Sequence, residues 1–400
     1  MKNRRGFLAA AILAIALSLL LFAGPEKAKP ARGKEYRAYV GNYTTKTDSK
    51  GIYDFRFDSE TGKMSTLELV GESKDPSWVV VHPSGRYLYA ANEHGKDSTI
   101  SAFAIEPKTG KLTLLNQLPA LGEDPCHLSF DRTGKFLLTA NYTSGNVAVF
   151  PILPDGKLGE HTALQKDSGT LGPNKERQEA AHAHWITEHG NTVFVADLGL
   201  DRVLVYAFDP VNGTLGPIRE AGPKNIRPQE PLVLSAGTGP RHVAISSPGN
   251  RNLTRFMYIL GELDSSVTVI GTTKEGGFRG AGKKVPMLPA GFTGRNDAAE
   301  IEIHPSGKFL YASNRGHDSI VVYSIDQDRG RLTPVADVPS GGKEPRHFAI
   351  DPSGKFLLAE NQNTNTIVEF RIDPVNGKLT PTGETLSVPS PVCIAFLPVD

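Results

Sequence analysis

A hairpin unit recurs seven times along the 400 residues, the last copy being a first strand alone at the C-terminus, and a return strand without a first one stands at the N-terminus. The regular recurrence predicts an all-β repeat fold, and the two half-copies predict that the chain closes on itself. Together they specify a seven-bladed β-propeller, four antiparallel strands per blade, with a three-plus-one closure of the N- and C-termini. The clearest unit is EPRHFAIDPSGKFLLAEN, from Glu344 to Asn361: an alternating strand carrying His347, a turn at DPSG and an apolar return strand. It recurs as DPSWVVVHPSGRYLYAAN from Asp75, DPCHLSFDRTGKFLLTAN from Asp124, GPRHVAISSPGNRNLTRFMYILGE from Gly239 and AAEIEIHPSGKFLYASN from Ala298. Weaker copies begin at Ala181 (AHAHWITEHGNTVFVAD) and Ser390 (SPVCIAFLPVD). Two further strand signals follow each complete hairpin, as in SIVVYSID (319–326) and GKLTPTGE (377–384).

The first 34 residues are of another kind. Lys2, Arg4 and Arg5 precede an apolar run from Phe7 to Ala23, and a polar, Pro-rich stretch follows. This is the pattern of an export signal and tether, 1–34, ahead of a single propeller domain, 35–400. The paired arginines of NRRGFL resemble a twin-arginine signal, and an uncleaved membrane anchor is the alternative reading of the same run. The expected location is the periplasm or the extracellular space.

The propeller opens at Tyr36 with a return-strand signal, YRAYVGNY, followed by GIYDFRFD and KMSTLELVG, with no first strand ahead of them. The chain ends on a first strand, PVCIAFLPV, with no return. Three strands from one end and one from the other complete a blade and leave no open sheet edge. No stretch outside the signal has helical apolar spacing, which excludes a β/α fold. The 44 basic and 43 acidic residues balance, so no overall field favours nucleic acid or a membrane surface. The two cysteines, Cys126 and Cys393, fall on first strands of non-neighbouring repeats and read as buried free thiols.

Aligned on their turns, the hairpins stack Trp78, His127, His184, His242, Glu300, His347 and Cys393, spaced by 49, 57, 58, 58, 47 and 46 residues. First strands line the axis of a propeller, so these residues form a ring where a purely structural strand would carry Val, Ile or Thr. Arg241, Arg346 and His182 lie beside ring members. The return strands end in Asn42, Asn92, Asn141, Asp197, Gly261, Asn314 and Asn361, followed by Tyr43, Glu93, Tyr142, Leu198, Glu262, Arg315 and Gln362. Ionisable groups of both signs therefore converge at one rim, the place to seek a small anionic ligand.

The strings AHAHW, VADLGLDRVLVY, GPRHVA, GELDS, AAEIEIHPSGKFLYASNRGHDSI and PRHFAIDPSGKFL resemble the lactonase family of seven-bladed propellers, which includes 6-phosphogluconolactonases and fungal carboxymuconate lactonising enzymes. The resemblance runs from about Tyr36 to the C-terminus. It implies that an ester-type ring is opened or closed, with a small anionic lactone or carboxylate as substrate and hydrolysis of the lactone as the leading expectation; a monomer is expected. By motif it carries the catalytic roles to His184 in AHAHW, Arg241 in GPRH, Glu262 in GELDS and Arg315 in SNRG. His182, His127, His242, Glu300, Arg346 and His347 are the candidates for substrate contact.

The residue types suit that chemistry. Opening a lactone needs an acceptor for a proton of water and donors for the developing oxyanion. His184 can accept the proton, and Glu262 could do so instead or orient it. Arg241 and Arg315 are planar, permanently charged donors. No cofactor is required. His182 and His184, two residues apart on a strand, could chelate a metal, but no third ligand accompanies them and no metal is assigned. Plainer roles stand beside these: His127 and His347 filling the channel, Arg346 pairing with Glu344 or with a neighbouring blade, the asparagines satisfying strand-end backbone, and the Asp201-Arg202 and His317-Asp318 steps joining blades. Two other functions remain open, a muconate-type cyclase needing several arginines for several carboxylates, and a propeller that only binds.

Overall fold

The computed structural model describes residues 35–217, 230–246, 255–272 and 278–399; the expected signal and tether at 1–34 lie outside them. Seven antiparallel sheets follow one another around an axis. Blade 1 pairs Pro391–Pro398 from the C-terminus with Glu35–Asn42, then Gly51–Asp58 and Glu68–Glu72, so the closure is three-plus-one. In blade 4 the strand Arg202–Asp209 has two outer partners, Thr214–Pro217 along one half and Leu232–Val233 along the other. The described residues contain no α-helix, only two short 3-10 turns.

The core consists of seven apolar layers, each sandwiched between two neighbouring blades. This explains why the inner strands are apolar on both faces. Side chains alternate along a strand, so Tyr36, Ala38 and Val40 pack towards blade 7 with Phe356 and Leu358, while Tyr39 packs towards blade 2 with Leu88 and Phe103. A repeated tether adds to the layers. Tyr39, Tyr89 and Tyr311 donate their hydroxyls to the carbonyls of Gly110, Gly156 and Gly377 in the outer turns of the next blade, at 2.8 to 3.1 Å.

The strand-end residues do what their plainer reading assigns. The side-chain amides of Asn92, Asn141 and Asn361 donate to Lys74, Ala120 and Ser340 carbonyls on the linker entering the blade. Asp201 accepts from the Gly237 and Gly239 amides, and Asp318 from the Glu344 amide, each on the approach to the next blade. Both cysteines are free and buried.

One blade departs from the turn-based alignment. Trp78, His127 and His347 lie opposite Ala91, Ala140 and Glu360, next to last on their return strands. In blade 4 that position, Ala196, lies opposite Trp185 and not His184. The cause is the turn. His189 pairs with Thr192 around Gly190 and Asn191, whose φ values of 61° and 68° suit a two-residue hairpin turn, whereas the other copies use longer turns such as HPSGRY. One extra pair forms and the register slips. Trp185 thus takes the ring position, and His184 moves to a bulge level with Cys126 and Arg346, one step nearer the mouth.

Candidate active site

The mouth is built on Glu262, which follows the return strand of blade 5 and is fixed through its backbone: its amide donates to Gly239 and its carbonyl accepts from Ala298. Its carboxylate is 3% exposed and is held by three guanidiniums: Arg177 at 2.5 Å, Arg241 Nε at 3.0 Å and Arg315 at 3.2 Å. Burial alone would raise the pKa of Glu262, but Arg315, Arg241 and Arg177 outweigh it and hold the group at about 2. An ionised carboxylate so clamped is a poor proton acceptor at neutral pH. It serves to gather cations.

Two of those arginines are locked in place from behind. Arg241 donates to the Ala299 carbonyl at 2.6 Å and lies 3.4 Å from His242 Nε2. Arg315 donates to the Asp297 carbonyl at 3.2 Å. Arg177 comes from the crossing between blades 3 and 4, outside every repeat, and also reaches Asp297 at 3.3 Å and the Tyr142 hydroxyl at 3.4 Å.

His184 sits next to this cluster, its ring 5.1 Å from His242 and 5.5 Å from Tyr142. Its Nδ1 is buried and has no hydrogen-bond partner. Burial, then the charges of Arg241, His242 and Arg346, push its pKa well below 6.5. The imidazole is therefore neutral at pH 7, and its Nδ1 makes no hydrogen bond within the protein.

A second branch crosses the mouth. Arg346 donates to the Tyr43 hydroxyl at 2.9 Å, and Tyr43 in turn donates to Glu93 at 2.7 Å. Burial first, and Glu93 with it, raise the Tyr43 pKa well above 10, so the phenol keeps its proton. Of the two partners expected for Arg346, Glu344 and a neighbouring blade, it meets the second: its side chain turns in towards Tyr43 of blade 1, and Glu344 lies 4.0 Å from Arg315 instead.

Beneath the mouth the ring residues face one another. His242 Nδ1 donates to Glu300 at 3.0 Å while its Nε2 faces Arg241, which fixes the tautomer. His347 lies 3.4 Å from Glu300 and 2.9 Å from Glu360. Burial would lower its pKa, but Glu360 and Glu300 prevail and raise it to about 9, so His347 is a cation. Glu300, against burial, is held at about 2 by His242 and His347. His127 lies tilted against Trp78, ring centroids 4.5 Å apart, and is kept neutral chiefly by burial. Of the candidates for substrate contact, His127, His242, Glu300 and His347 thus form the support of the mouth, with Arg346 in the mouth itself.

His182 is also committed. It stacks on Tyr142 at 4.5 Å, and its two nitrogens lie 3.0 Å from the Tyr142 carbonyl and 3.1 Å from Glu179. Among the described residues no group of three or more His, Cys, Asp or Glu side chains is arranged to hold a metal ion.

Arg177 is absent from any motif, since it belongs to no repeat. Its trace in the sequence is a length: the step from His127 to His184 is 57 residues where the shortest steps are 46 and 47, and the surplus includes the charged string NKERQE.

Residues 37–396 match the model of the family described as lactonase, 7-bladed beta-propeller. A 6-phosphogluconolactonase of Bacillus subtilis is 35% identical over 365 residues, covering 91% of this chain and 99% of its relative. A 6-phosphogluconolactonase of Formosa agariphila is 33% identical, over 78% of this chain and 85% of its own. Among solved structures, the periplasmic gluconolactonase of Pseudomonas aeruginosa superposes with a TM-score of 0.82 at 30% identity, covering 92% of this chain and all of the other.

Proposed function

The chain belongs to the seven-bladed β-propeller lactonase family, and from that premise we propose that it opens a sugar lactone at the mouth of the axial channel, with His184 as proton acceptor and Arg241 and Arg315 as oxyanion donors. The observation that carries this assignment is the buried, unpartnered Nδ1 of neutral His184 beside a guanidinium cluster locked by backbone carbonyls. Water attacks the lactone carbonyl carbon as His184 takes its proton. The resulting oxyanion is stabilised by the arginines. When the bond from that carbon to the ring oxygen breaks, the imidazolium of His184 returns the proton to the ring oxygen, leaving a hydroxy acid. Glu262 keeps the arginines in place and exchanges no proton. The protein acts as a monomer, the blade that joins its two ends being completed within one chain.

Both 6-phosphogluconolactone and unphosphorylated gluconolactone are acted on by relatives according to their names, which supports a six-carbon aldonolactone here. The test is to assay the mature protein on aldonolactones, a phosphorylated lactone and carboxymuconate. Enhanced ring opening of an aldonolactone is the expected result; turnover of carboxymuconate alone would replace hydrolysis with lactonisation.

We also propose export, supported by NRRGFL with its apolar run and by the periplasmic neighbour. A reporter fused behind residues 1–34 is expected outside the cytoplasm. Changing Arg4 and Arg5 together to lysine should then stop export by the twin-arginine route and leave the general secretory route intact. A reporter retained in the cytoplasm removes the signal reading.

A further inference from the structure

The three arginines on Glu262 are not equivalent. Arg241 and Arg315 have side chains only 3% and 9% exposed, whereas that of Arg177 is 30% exposed. A ligand entering the mouth can reach Arg177 without disturbing the other two. Its outer face borders a groove of about 680 Å³, lined in part by Asn174, Asp264, Ser265, Asn296 and Asp297, a polar surface suited to a hydroxylated molecule.

Arg177 is nonetheless held in a built position. Its amide lies 3.2 Å from Asn174 Oδ1, in a turn closed by the buried Gln178, which donates to the Leu198 carbonyl at 2.8 Å. The Gly172 amide donates to the Gly199 carbonyl at 2.9 Å. This crossing lies so close to blade 4 that a Cβ on Gly199 would stand 1.7 Å from the Ala180 carbonyl oxygen. The strap therefore delivers one guanidinium to a set place.

The charges around it allow an exchange. Glu262 grips one terminal nitrogen of Arg177 at 2.5 Å, while Asp297 touches the other at 3.3 Å. Asp297 is also paired with Arg295, at 3.0 Å to both Nε and a terminal nitrogen, and the Arg295 side chain is 84% exposed. If an anionic group of a ligand takes the place of Asp297 on Arg177, Asp297 keeps a cation and no carboxylate is left unpaired. Tyr142 spans the two regions, its ring 5.5 Å from His184 and its hydroxyl 3.4 Å from Arg177. A lactone with its carbonyl at His184 can extend an exocyclic arm along that tyrosine.

On the lactonase reading, we propose that Arg177 binds an anionic substituent of the substrate, phosphate or carboxylate, remote from the reacting carbonyl, and that Asp297 is the internal competitor this substituent displaces. A hydrogen bond from the guanidinium nitrogen that Asp297 gives up to such an anion is a strong, charge-assisted contact.

The experiment compares kcat/KM for an unsubstituted aldonolactone, its 6-phosphate and its 6-carboxylate in the wild type, R177A, R177K and D297N. R177A should lower the ratio of substituted to unsubstituted substrate by roughly 10–100-fold, mainly through KM, with R177K recovering part. D297N should move the ratio the other way. Loss of preference for the phosphate alone, or for the carboxylate alone, identifies the anion. A ratio unmoved in both R177A and D297N overturns the proposal, as does a fall in both variants alike, which marks a purely structural effect. Titration with inorganic phosphate, expected to weaken in R177A, provides a readout apart from turnover. If the wild type hydrolyses none of the three lactones, the lactonase reading fails, and the phosphate titration still decides for or against an anion site at Arg177.

Discussion

Removing residues 390–400 should leave a chain that does not fold. The deletion takes away Pro391–Pro398, the strand that pairs with Glu35–Asn42 from Tyr36 to Asn42 and completes blade 1. Val392, Cys393 and Ile394 on it are buried, and Ile394 belongs to the layer between blades 7 and 1 while Cys393 belongs to the layer between blades 1 and 2. Burial of large apolar side chains contributes about 1.5–3 kcal/mol each, and a whole domain is stable by only about 5–15 kcal/mol. Losing one strand therefore weakens two of seven layers and bares the inner edge of Glu35–Asn42 to pairing with other chains. The measurements are soluble yield and the thermal melt of the truncated protein against the full chain. C393A, which trims one side chain and keeps the strand, should melt slightly lower than wild type and stay soluble. A truncated protein that melts like its parent means that this strand does not lock the ring.

The repeat made the fold legible because each hairpin must bury both faces, so its pattern survives in Phe136–Asn141 and Phe356–Asn361 alike. The mouth was legible where it coincides with the repeat: Arg241, Glu262 and Arg315 occupy fixed offsets from the turns and meet in space. Register was harder to read. A turn two residues long looks like a shortened HPSG, and only backbone pairing shows that Trp185 and not His184 is level with Trp78. Arg177 could not be read from periodicity, since a residue on a crossing owes its position to Gln178 and Gly199 and not to any strand. Nor does a sequence say which of two candidate bases is free. That depends on three guanidiniums closing on Glu262 while Nδ1 of His184 makes no hydrogen bond within the protein.

That difference separates the two site variants with the largest effects. H184A should lower kcat on a lactone the parent hydrolyses by roughly 10²–10⁴-fold, the usual worth of a placed proton acceptor, with little change in melting temperature, because its free Nδ1 makes no internal hydrogen bond to lose. E262Q keeps the shape and removes the charge. It leaves Arg177, Arg241 and Arg315 converging on a neutral amide, and breaking a buried ionic cluster from one side costs about 3–5 kcal/mol, so activity and melting temperature should fall together. The pH profile discriminates further. A base works when deprotonated, and burial with the neighbouring arginine charges sets the pKa of His184 well below 6.5. In the free enzyme kcat/KM should therefore be level through neutrality and fall only as the pH drops through that lowered pKa, on an acid limb below pH 6.5. Near-parental kcat in both variants would place the chemistry away from the axis. Loss in E262Q alone would make Glu262, or the arginines it holds, the centre of the reaction, with His184 reduced to lining.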